Sequence, residues 1–423
     1  MRTVRVRPGV VSGVLDAPPS KSYTHRALVA GYLAQRRYAV EGPLDADDTR
    51  STAGALRPLG SRVTFSAGRW TIAPDPSPGN SQGTIDCGES GTTLRFAAAL
   101  AARSGRTIRL RGRGRLPYRP IAELFDALES LGADCHRAPG PRALPTTVRG
   151  PIHGGNVRLD ASISSQFVSA LLLTLPTVPE ASTVDLVGPI VSEPYIRATL
   201  AVLRHHRVRV GQRGRRFTIP GGQTYRGSRM RVPGDASSAA YFWTAAAITG
   251  GRLQVRGIPR DWPQADLAIL ELLESSGATV RRTANGALVT GGNSTGFTVD
   301  LTPAPDLYPL AGVLAATIPA RSRIEGALHV VHKESDRRSG TIQLARAMGA
   351  KVRPDRSGLT IVGTAHPRPL RLRGLDDHRL VMSAAVGALV ASRPSSIHDG
   401  NAVAKSYPGF WNALSALRSE PMR

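Results

Sequence analysis

Two interleaved series of helix signals, each returning at about 70 residues, constrain the fold of this 423-residue chain more than any other feature of it. Helix ends of the form L-x-x-x-G-x-x-V recur around Gly60, Gly132, Gly277 and Gly349, with a degenerate copy at His205-His206. The steps are 72, then 145 across the degenerate copy, then 72. A second series of helices opens at Ser20-Lys21-Ser22, Ser90-Gly91-Thr92, Ser164-Ser165-Gln166, Gly234-Asp235-Ala236-Ser237, Pro305-Asp306 and Asp376-Asp377-His378-Arg379, and each runs into an Ala/Leu/Val stretch. Self-similarity at a fixed period marks a repeated supersecondary unit, here a βα-rich unit written six times.

Periodicity within the repeats sets the fold class. Arg5–Val14, Thr107–Arg111, Thr183–Val187 and Leu253–Arg256 are short and rich in β-branched residues, which predicts strands. Arg26–Ala34, Leu94–Ala102, Phe167–Leu175, Ala239–Ile248 and Leu310–Ile318 carry helical apolar patterning, and regular alternation of the two kinds predicts an α/β protein. The sixth unit is incomplete, because no strand follows the helix Trp411–Leu417, while Thr3–Arg7 is a strand without a unit. The N-terminal strand is therefore expected to complete the last unit. This count predicts two globular domains of three repeats, residues 20–232 and residues 1–19 with 233–423, each large enough to bury its own core. The links Ala17-Pro18-Pro19 and Val232-Pro233-Gly234 predict a hinge near 17–20 and 232–234. An open solenoid is the alternative, disfavoured because solenoid periods are usually shorter, roughly 20–50 residues.

Composition narrows the function classes. Lys and Arg number 55 against 31 Asp and Glu, a net charge of +24, which predicts anionic partners: nucleic acid, or small phosphorylated and carboxylated molecules. Aromatic residues are only 5% and the basic residues are dispersed, which argues against a single-strand-binding surface. The two cysteines, Cys87 and Cys135, lack metal spacing and read as reduced, structural thiols. The ten histidines show no ligand spacing, and there is no P-loop and no G-x-G-x-x-G after a strand, so neither metal nor organic cofactor is expected. The N-terminus has no apolar h-region, and runs such as Leu380–Ala391 fall short of the ~18 residues that span a bilayer. A soluble, cytoplasmic protein is expected.

Helix N-termini offer unpaired N–H groups and the positive end of the macrodipole, a ready site for anions. In the second series these positions carry Lys21, Ser22, Thr92, Ser164, Ser165, Gln166, Asp306 and Arg379. The other series opens with Asp47-Asp48, Arg119-Pro120, Ser192-Glu193-Pro194-Tyr195, Lys333-Glu334-Ser335-Asp336-Arg337 and Lys405-Ser406-Tyr407-Pro408. Each Ser, Thr or Asp has N-capping as its ordinary role, and Asp47, Asp48 and Asp235 read as caps or hinge residues. Capping does not explain Lys21, Arg119, Lys333, Arg379 and Lys405, because the dipole disfavours cations there. Such placements call for a polyanionic ligand, held in one cleft if both domains present these ends to it.

These same residues carry a family resemblance. Pro19-Ser20-Lys21-Ser22-Tyr23-Thr24-His25-Arg26-Ala27-Leu28, Ser90-Gly91-Thr92-Thr93-Leu94-Arg95, Arg119-Pro120-Ile121, Ser164-Ser165-Gln166, Gly234–Phe242, Lys333–Arg337, Asp377-His378-Arg379 and Lys405–Pro408 resemble, in order and across the whole chain, the signatures of the EPSP synthase family of enolpyruvyl transferases. The resemblance implies two domains, each of three units about a pseudo-threefold axis. It implies transfer of the enolpyruvyl group of phosphoenolpyruvate to the 5-hydroxyl of shikimate 3-phosphate, with release of phosphate through a tetrahedral intermediate. This is a step of the shikimate pathway to chorismate and the aromatic amino acids, by a monomer without cofactor, metal, nucleic acid or membrane.

Carried over position by position, Lys21, Gly91, Arg119, Gln166, Arg337, Arg379 and Lys405 resemble the phosphoenolpyruvate contacts. Lys21, Ser22, Arg26, Ser164, Ser165, Gln166, Ser192, Tyr195, Asp306 and Lys333 resemble the phosphoshikimate contacts. The resemblance makes Asp306 the acceptor of the hydroxyl proton and gives protonation of the enol methylene to Glu334 with Lys21. It makes His378 an orienting group, and Gly91 a point where the helix backbone approaches a ligand. For Asp306 to act as a base, desolvation has to balance its cationic neighbours. The chain departs from the family pattern at His329, Val331, His332, Arg113 and Glu193. Those departures leave three alternatives: a UDP-sugar acceptor, a secondary-pathway alcohol, and a basic relative that binds RNA phosphates. Domain closure on binding the acceptor is the expected motion.

Overall fold

The computed structural model describes residues 2–77, 82–137, 139–292 and 294–419. The chain divides into two compact lobes, a first of Pro19–Pro233 and a second of Met1–Pro18 with Gly234–Arg423. Among the described residues the first lobe holds helices α1 (Lys21–Leu33), α2 (Asp47–Ala55), α3 (Gly91–Arg103), α4 (Ala122–Ser130), α5 (Ser165–Thr174) and α6 (Glu193–His205). The second holds α7 (Ala236–Thr249), α8 (Ala268–Ser275), α9 (Tyr308–Ala316), α10 (Arg337–Ala347), α11 (His378–Ala388) and α12 (Phe410–Leu417).

One small sheet accompanies each odd–even pair of helices, which is the period read from the sequence made physical. In the second unit Gln82–Asp86 runs parallel to Thr107–Arg111 across α3, and α4 then leads to the hairpin Asp134–Arg137 and Thr146–Arg149. The spatial order is first, second, fourth, third strand. Asn156–Asp160 with Ser182–Val187, and Thr298–Asp300 with Arg321–Glu325, repeat the same parallel pair in the third and fifth units. The first unit of each lobe borrows its opening strand from elsewhere in the chain. Arg229–Arg231 pairs parallel with Tyr38–Glu41 in the first lobe, and Gly13–Asp16 pairs parallel with Arg252–Arg256 in the second.

The N-terminal segment Arg5–Val14 is not one strand, as its composition suggested, but parts of three. Val4–Val6 pairs with Ser395–Ile397 of the sixth unit, Val10–Val11 pairs with Arg418–Ser419, and Gly13–Asp16 enters the fourth unit's sheet. Pro8-Gly9 and Gly13 break the run: a side chain at Gly9 would meet the Ser419 carbonyl at 2.4 Å, and Gly13 has φ +123°. The N-terminal strand does complete the last unit. A strand nevertheless follows α12, the two-residue Arg418–Ser419, too short for a periodicity reading to find.

Odd and even helices differ in burial, and the sequence says why. In α3 every residue from Leu94 to Ala102 is buried, with four alanines and no polar face, and α5 and α9 are covered on all sides in the same way. These odd helices form each lobe's centre; truncating a ring such as Phe167 there costs about 3–5 kcal/mol. Even helices are amphipathic: α8 buries Ile269, Leu270, Leu272 and Leu273 and leaves Glu271 and Glu274 outside.

The repeated glycine after each outer helix has left-handed backbone, with φ +102° at Gly132, +106° at Gly277 and +99° at Gly349. It lets the next N–H reach back to the last turn, as in Ala133 N to Leu128 O at 3.0 Å and Ala278 N to Leu273 O at 2.9 Å. In the degenerate copy Arg207 takes this conformation at φ +56°, with Val208 N bonding Leu203 O at 2.9 Å. The geometry is kept without glycine, at a cost of about 1–2 kcal/mol. His206, buried beside it, bonds the Tyr38 hydroxyl at 2.6 Å.

At the two chain crossings, Ser20 N donates to Pro233 O within the first lobe. Asp235 N donates to Pro18 O and Gly234 N to Gly257 O within the second.

Candidate functional site

Within the first lobe, hydrogen bonds draw the opening turns of its helices together. Lys21, the first residue of α1, places Nζ 2.9 Å from Asp48 Oδ2 in the first turn of α2. Thr93 of α3 joins the Asp48 carbonyl at 3.2 Å and the Thr52 hydroxyl at 2.6 Å, and Thr52 meets His25 Nδ1 at 2.7 Å. Gln166 of α5 donates Nε2 to Thr92 of α3 at 3.2 Å, while its Oε1 is buried without a hydrogen-bond partner. Arg95 reaches the carbonyls of Gly91 and of Pro120, just before α4.

Arg26 is 3% exposed and held by neutral oxygens. It donates to the hydroxyls of Thr199 and Ser169 and to the carbonyls of Ser22 and Tyr195, and its guanidinium lies 5.7 Å from the Phe96 ring centre. Burial lowers its pKa only to about 10, so it is charged at neutral pH. The caps here are hydroxyls: Ser90 accepts from Thr93 N and Ser164 from Gln166 N, each at 3.2 Å. Ser165 follows as the first residue of α5 and is buried, whereas Ser22 and Tyr195 are half-buried. Neutral caps satisfy orphan N–H groups without cancelling the positive helix ends. Ser192, at the α6 cap position, has left-handed backbone (φ +54°), a strained state of the kind that collects at ligand sites.

Gly91 is explained by packing. A Cβ there would stand 2.5 Å from Arg95 Nη1 and 2.7 Å from Arg119 Nη1, so its smallness seats two guanidinium groups against the start of α3. Arg119 ends the short turn Leu116–Tyr118 and is 8% exposed.

In the second lobe the corresponding turns carry a network of opposite charges. Arg337, the first residue of α10, is 1% exposed and donates Nη1 to Asp306 Oδ1 at 2.7 Å, Nη2 to Glu334 Oε2 at 2.7 Å and Nε to Asp377 Oδ2 at 2.8 Å. Arg379, in the first turn of α11, donates Nη2 to the other oxygen of Asp306 at 2.8 Å, and Lys333 Nζ lies 3.8 Å from Asp306 Oδ1. Burial pushes the Asp306 carboxyl up, but Arg379, Lys333 and Arg337 outweigh it and hold it well below the usual carboxylate range. Desolvation therefore does not balance the cations, contrary to the expectation for a poised base. The network raises Arg337 above its ordinary value, with Asp377, Glu334 and Asp306 overcoming the cost of burial. The caps of this lobe are carboxylates: Asp235 accepts from Ser238 N at 2.9 Å, Asp336 from Ser339 N at 3.1 Å and Asp377 from Arg379 N at 2.8 Å.

Several sequence expectations about placement change. Asp306 is in a short turn, Pro305–Leu307, ahead of α9 and caps nothing. Lys333 follows the turn Leu328–His332, and Lys405 ends the turn Gly400–Lys405, so neither cation opens a helix; Lys405 is half-buried. For Lys21 and Arg379, which do sit in first turns, protein carboxylates already supply the offsetting charge. Asp48 is the ion partner of Lys21 rather than a cap. Asp377, which joins two arginines, and Asp266 were not singled out. Asp266 is buried, accepts a hydrogen bond from Ser237, and is pushed up to about 6 by burial and by Asp306. An acidic residue directly before His378-Arg379 at a helix opening was the available signal for the first; the second, in the turn Ala265–Leu267, had none.

His329, near Lys333 and Asp306, is driven to about 3 by burial and by Lys333, so it acts as a neutral ring at physiological pH. Both thiols are buried and pushed up to about 12 by that burial, which leaves Cys87 and Cys135 protonated and inert. Among the described residues no group of three or more His, Cys, Asp or Glu is placed to hold a metal ion. Among them, too, no helix is long and apolar enough to cross a membrane.

Comparison with known proteins bears on the same residues. The family model described as EPSP synthase (3-phosphoshikimate 1-carboxyvinyltransferase) matches residues 6–414. A protein of Thermococcus kodakarensis named 3-phosphoshikimate 1-carboxyvinyltransferase is 41% identical over 409 residues, covering 96% of this chain and 98% of its own. One of the same name from Methanocorpusculum labreanum is 35% identical over 417 residues, covering 97% of each. Two solved structures of EPSP synthase from Acinetobacter baumannii share the fold, with TM-scores of 0.82 and 0.80 at 24% and 23% identity. They cover 99% of this chain, and 99% and 98% of theirs. With a full-length family match, close relatives and a shared two-lobed α/β fold, the chain belongs to the EPSP synthase family.

Proposed function

We propose that this chain is a transferase of the shikimate pathway that moves the enolpyruvyl group of phosphoenolpyruvate to the 5-hydroxyl of shikimate 3-phosphate. The observation that carries the reading is Asp306, an ionised carboxylate with one oxygen on Arg337 and the other on Arg379 and with Lys333 nearby. A carboxylate among three cations suits a reaction in which a base must act beside phosphate and carboxylate groups.

The steps balance as addition followed by elimination. The 5-hydroxyl oxygen bonds to C2 of phosphoenolpyruvate, Asp306 takes the hydroxyl proton, and Glu334 with Lys21 delivers a proton to the methylene carbon. That methyl group then loses a proton, the C2–phosphate oxygen bond breaks, and inorganic phosphate leaves with the bonding pair. Anions arriving at Arg379 and Lys333 share those cations with Asp306, which raises its basicity when the substrates are in place. In this reading Lys21, Gly91, Arg119, Gln166, Arg337, Arg379 and Lys405 bind phosphoenolpyruvate. Lys21, Ser22, Arg26, Ser164, Ser165, Gln166, Ser192, Tyr195, Asp306 and Lys333 bind phosphoshikimate. The protein works as a cytoplasmic monomer of two three-unit domains that close about residues 17–20 and 232–234, and nucleic acid is no part of its activity.

The test is phosphate release with each substrate omitted in turn. Release that requires both phosphoenolpyruvate and shikimate 3-phosphate supports the reading. Release with a UDP-sugar instead, or none with shikimate 3-phosphate, overturns it.

A further inference from the structure

We propose that Asp377 is the positioning residue that holds both arginines of the second lobe against Asp306, through a closed ring Asp377–Arg337–Asp306–Arg379. Asp377 is 0% exposed and therefore cannot touch a substrate. Its oxygens accept from Arg337 Nε at 2.8 Å and Nη2 at 3.4 Å, from Arg379 N at 2.8 Å and from Ser335 Oγ at 3.0 Å.

Each bond controls a different element. A guanidinium is rigid and planar, so fixing the Nε edge of Arg337 sets where Nη1 and Nη2 point. They point at Asp306 Oδ1 and Glu334 Oε2, both 2.7 Å away. The bond to Arg379 N pins the first turn of α11, from which the Arg379 side chain reaches Asp306 Oδ2 at 2.8 Å. The Ser335 bond anchors the segment that carries Lys333 and Glu334. One buried carboxylate thus sets the register of Asp306, Glu334, Arg337 and Arg379, and the positive end of α11 helps it stay charged. His378 Nδ1, 3.7 Å from Asp377 Oδ1, completes its charged surroundings among the described contacts.

The inference rests on the transferase reading, so wild-type turnover is measured first and alone decides that reading; the variants are then scored against active wild type. Asp377→Ser keeps a helix cap but releases Arg337, while Asp377→Asn keeps a cap and an acceptor oxygen for Arg337. Asp336→Ser, which alters only the α10 cap, is the control. The expected result is that Asp377→Ser melts within a few degrees of wild type and loses about 100-fold in kcat while KM for shikimate 3-phosphate changes by less than about threefold. Asp377→Asn restores about tenfold of that loss, and Asp336→Ser stays near wild type. Should Asp377→Ser not fold, Ser335→Ala, which loosens only the Lys333–Glu334 segment, is expected to lower kcat about threefold to tenfold at unchanged melting temperature. The proposal is overturned if Asp377→Ser keeps kcat within threefold, or if its loss appears in KM alone. It is equally overturned if the Asn and Ser variants lose activity equally.

Discussion

The two lobes are built from the same unit three times over, yet the helix openings of the first are capped by serine and those of the second by aspartate. In the first lobe hydroxyls and carbonyls hold Arg26, and the helix ends keep their positive potential. In the second, Arg337, Arg379 and Lys333 are interlocked with Asp306, Glu334 and Asp377. One repeat has thus been turned to two uses by a change of cap. Neutral caps leave a receptor for anions; carboxylate caps with arginines make a rigid acid–base frame.

The contrast breaks most visibly at Asp306. Asp306→Asn keeps the volume and removes the base, so kcat is expected to fall about 10²–10⁴-fold in a phosphate-release assay with the fold intact by circular dichroism. On the receptor side, Lys21→Met is expected to lower kcat/KM for phosphoenolpyruvate about 100-fold. It also strands the buried Asp48 carboxylate, which costs about 3 kcal/mol in denaturant unfolding. Adding Asp48→Asn should recover stability without recovering activity, and recovery of both would make Lys21 merely structural. Giving the first lobe a second-lobe cap sharpens the comparison: Ser164→Asp should leave stability within about 0.5 kcal/mol, since both residues cap well. It should raise KM for shikimate 3-phosphate about tenfold in steady-state kinetics, by placing like charge beside an anion site.

Acid should separate the lobes more gently. His25 and His206 of the first lobe are held neutral, at about 3 and about 4, mainly by burial. Unfolded histidine binds a proton below about 6.5 while these do not, so first-lobe stability falls as pH drops, by about 1 kcal/mol per histidine at pH 5.5. In the second lobe His329 acts in the same sense. Asp266, raised to about 6, acts oppositely, because its folded form binds protons more readily and gains stability as pH falls through that range. Hydrogen exchange at pH 5.5 against pH 7 should therefore loosen α1 and α6 more than α7 and α9; equal loosening would remove the distinction.

Much of this was legible in the sequence because it depends on period. The α/β alternation, the six units and the borrowed N-terminal strand follow from spacing alone, and the resemblance carried the site residues. Pairing partners were not legible. Asp48 reads as an N-terminal acid and becomes the counter-ion of Lys21, and Asp377 reads as a cap and proves to join two arginines. The balance of charge at Asp306 also escaped, since burial and three cations compete there and only distances decide the sign. Segments of two or three residues, such as Val10–Val11 with Arg418–Ser419, carry too little pattern to show.

The division of labour is tested most directly by titrating shikimate 3-phosphate calorimetrically into the wild type, Asp306→Asn and Ser164→Asp, and comparing each dissociation constant with the turnover of the same preparation. The account predicts that Asp306→Asn binds within about fivefold of wild type without turning over, while Ser164→Asp loses binding but keeps most of its kcat at saturation. Equal loss of binding and turnover in both variants would contradict it.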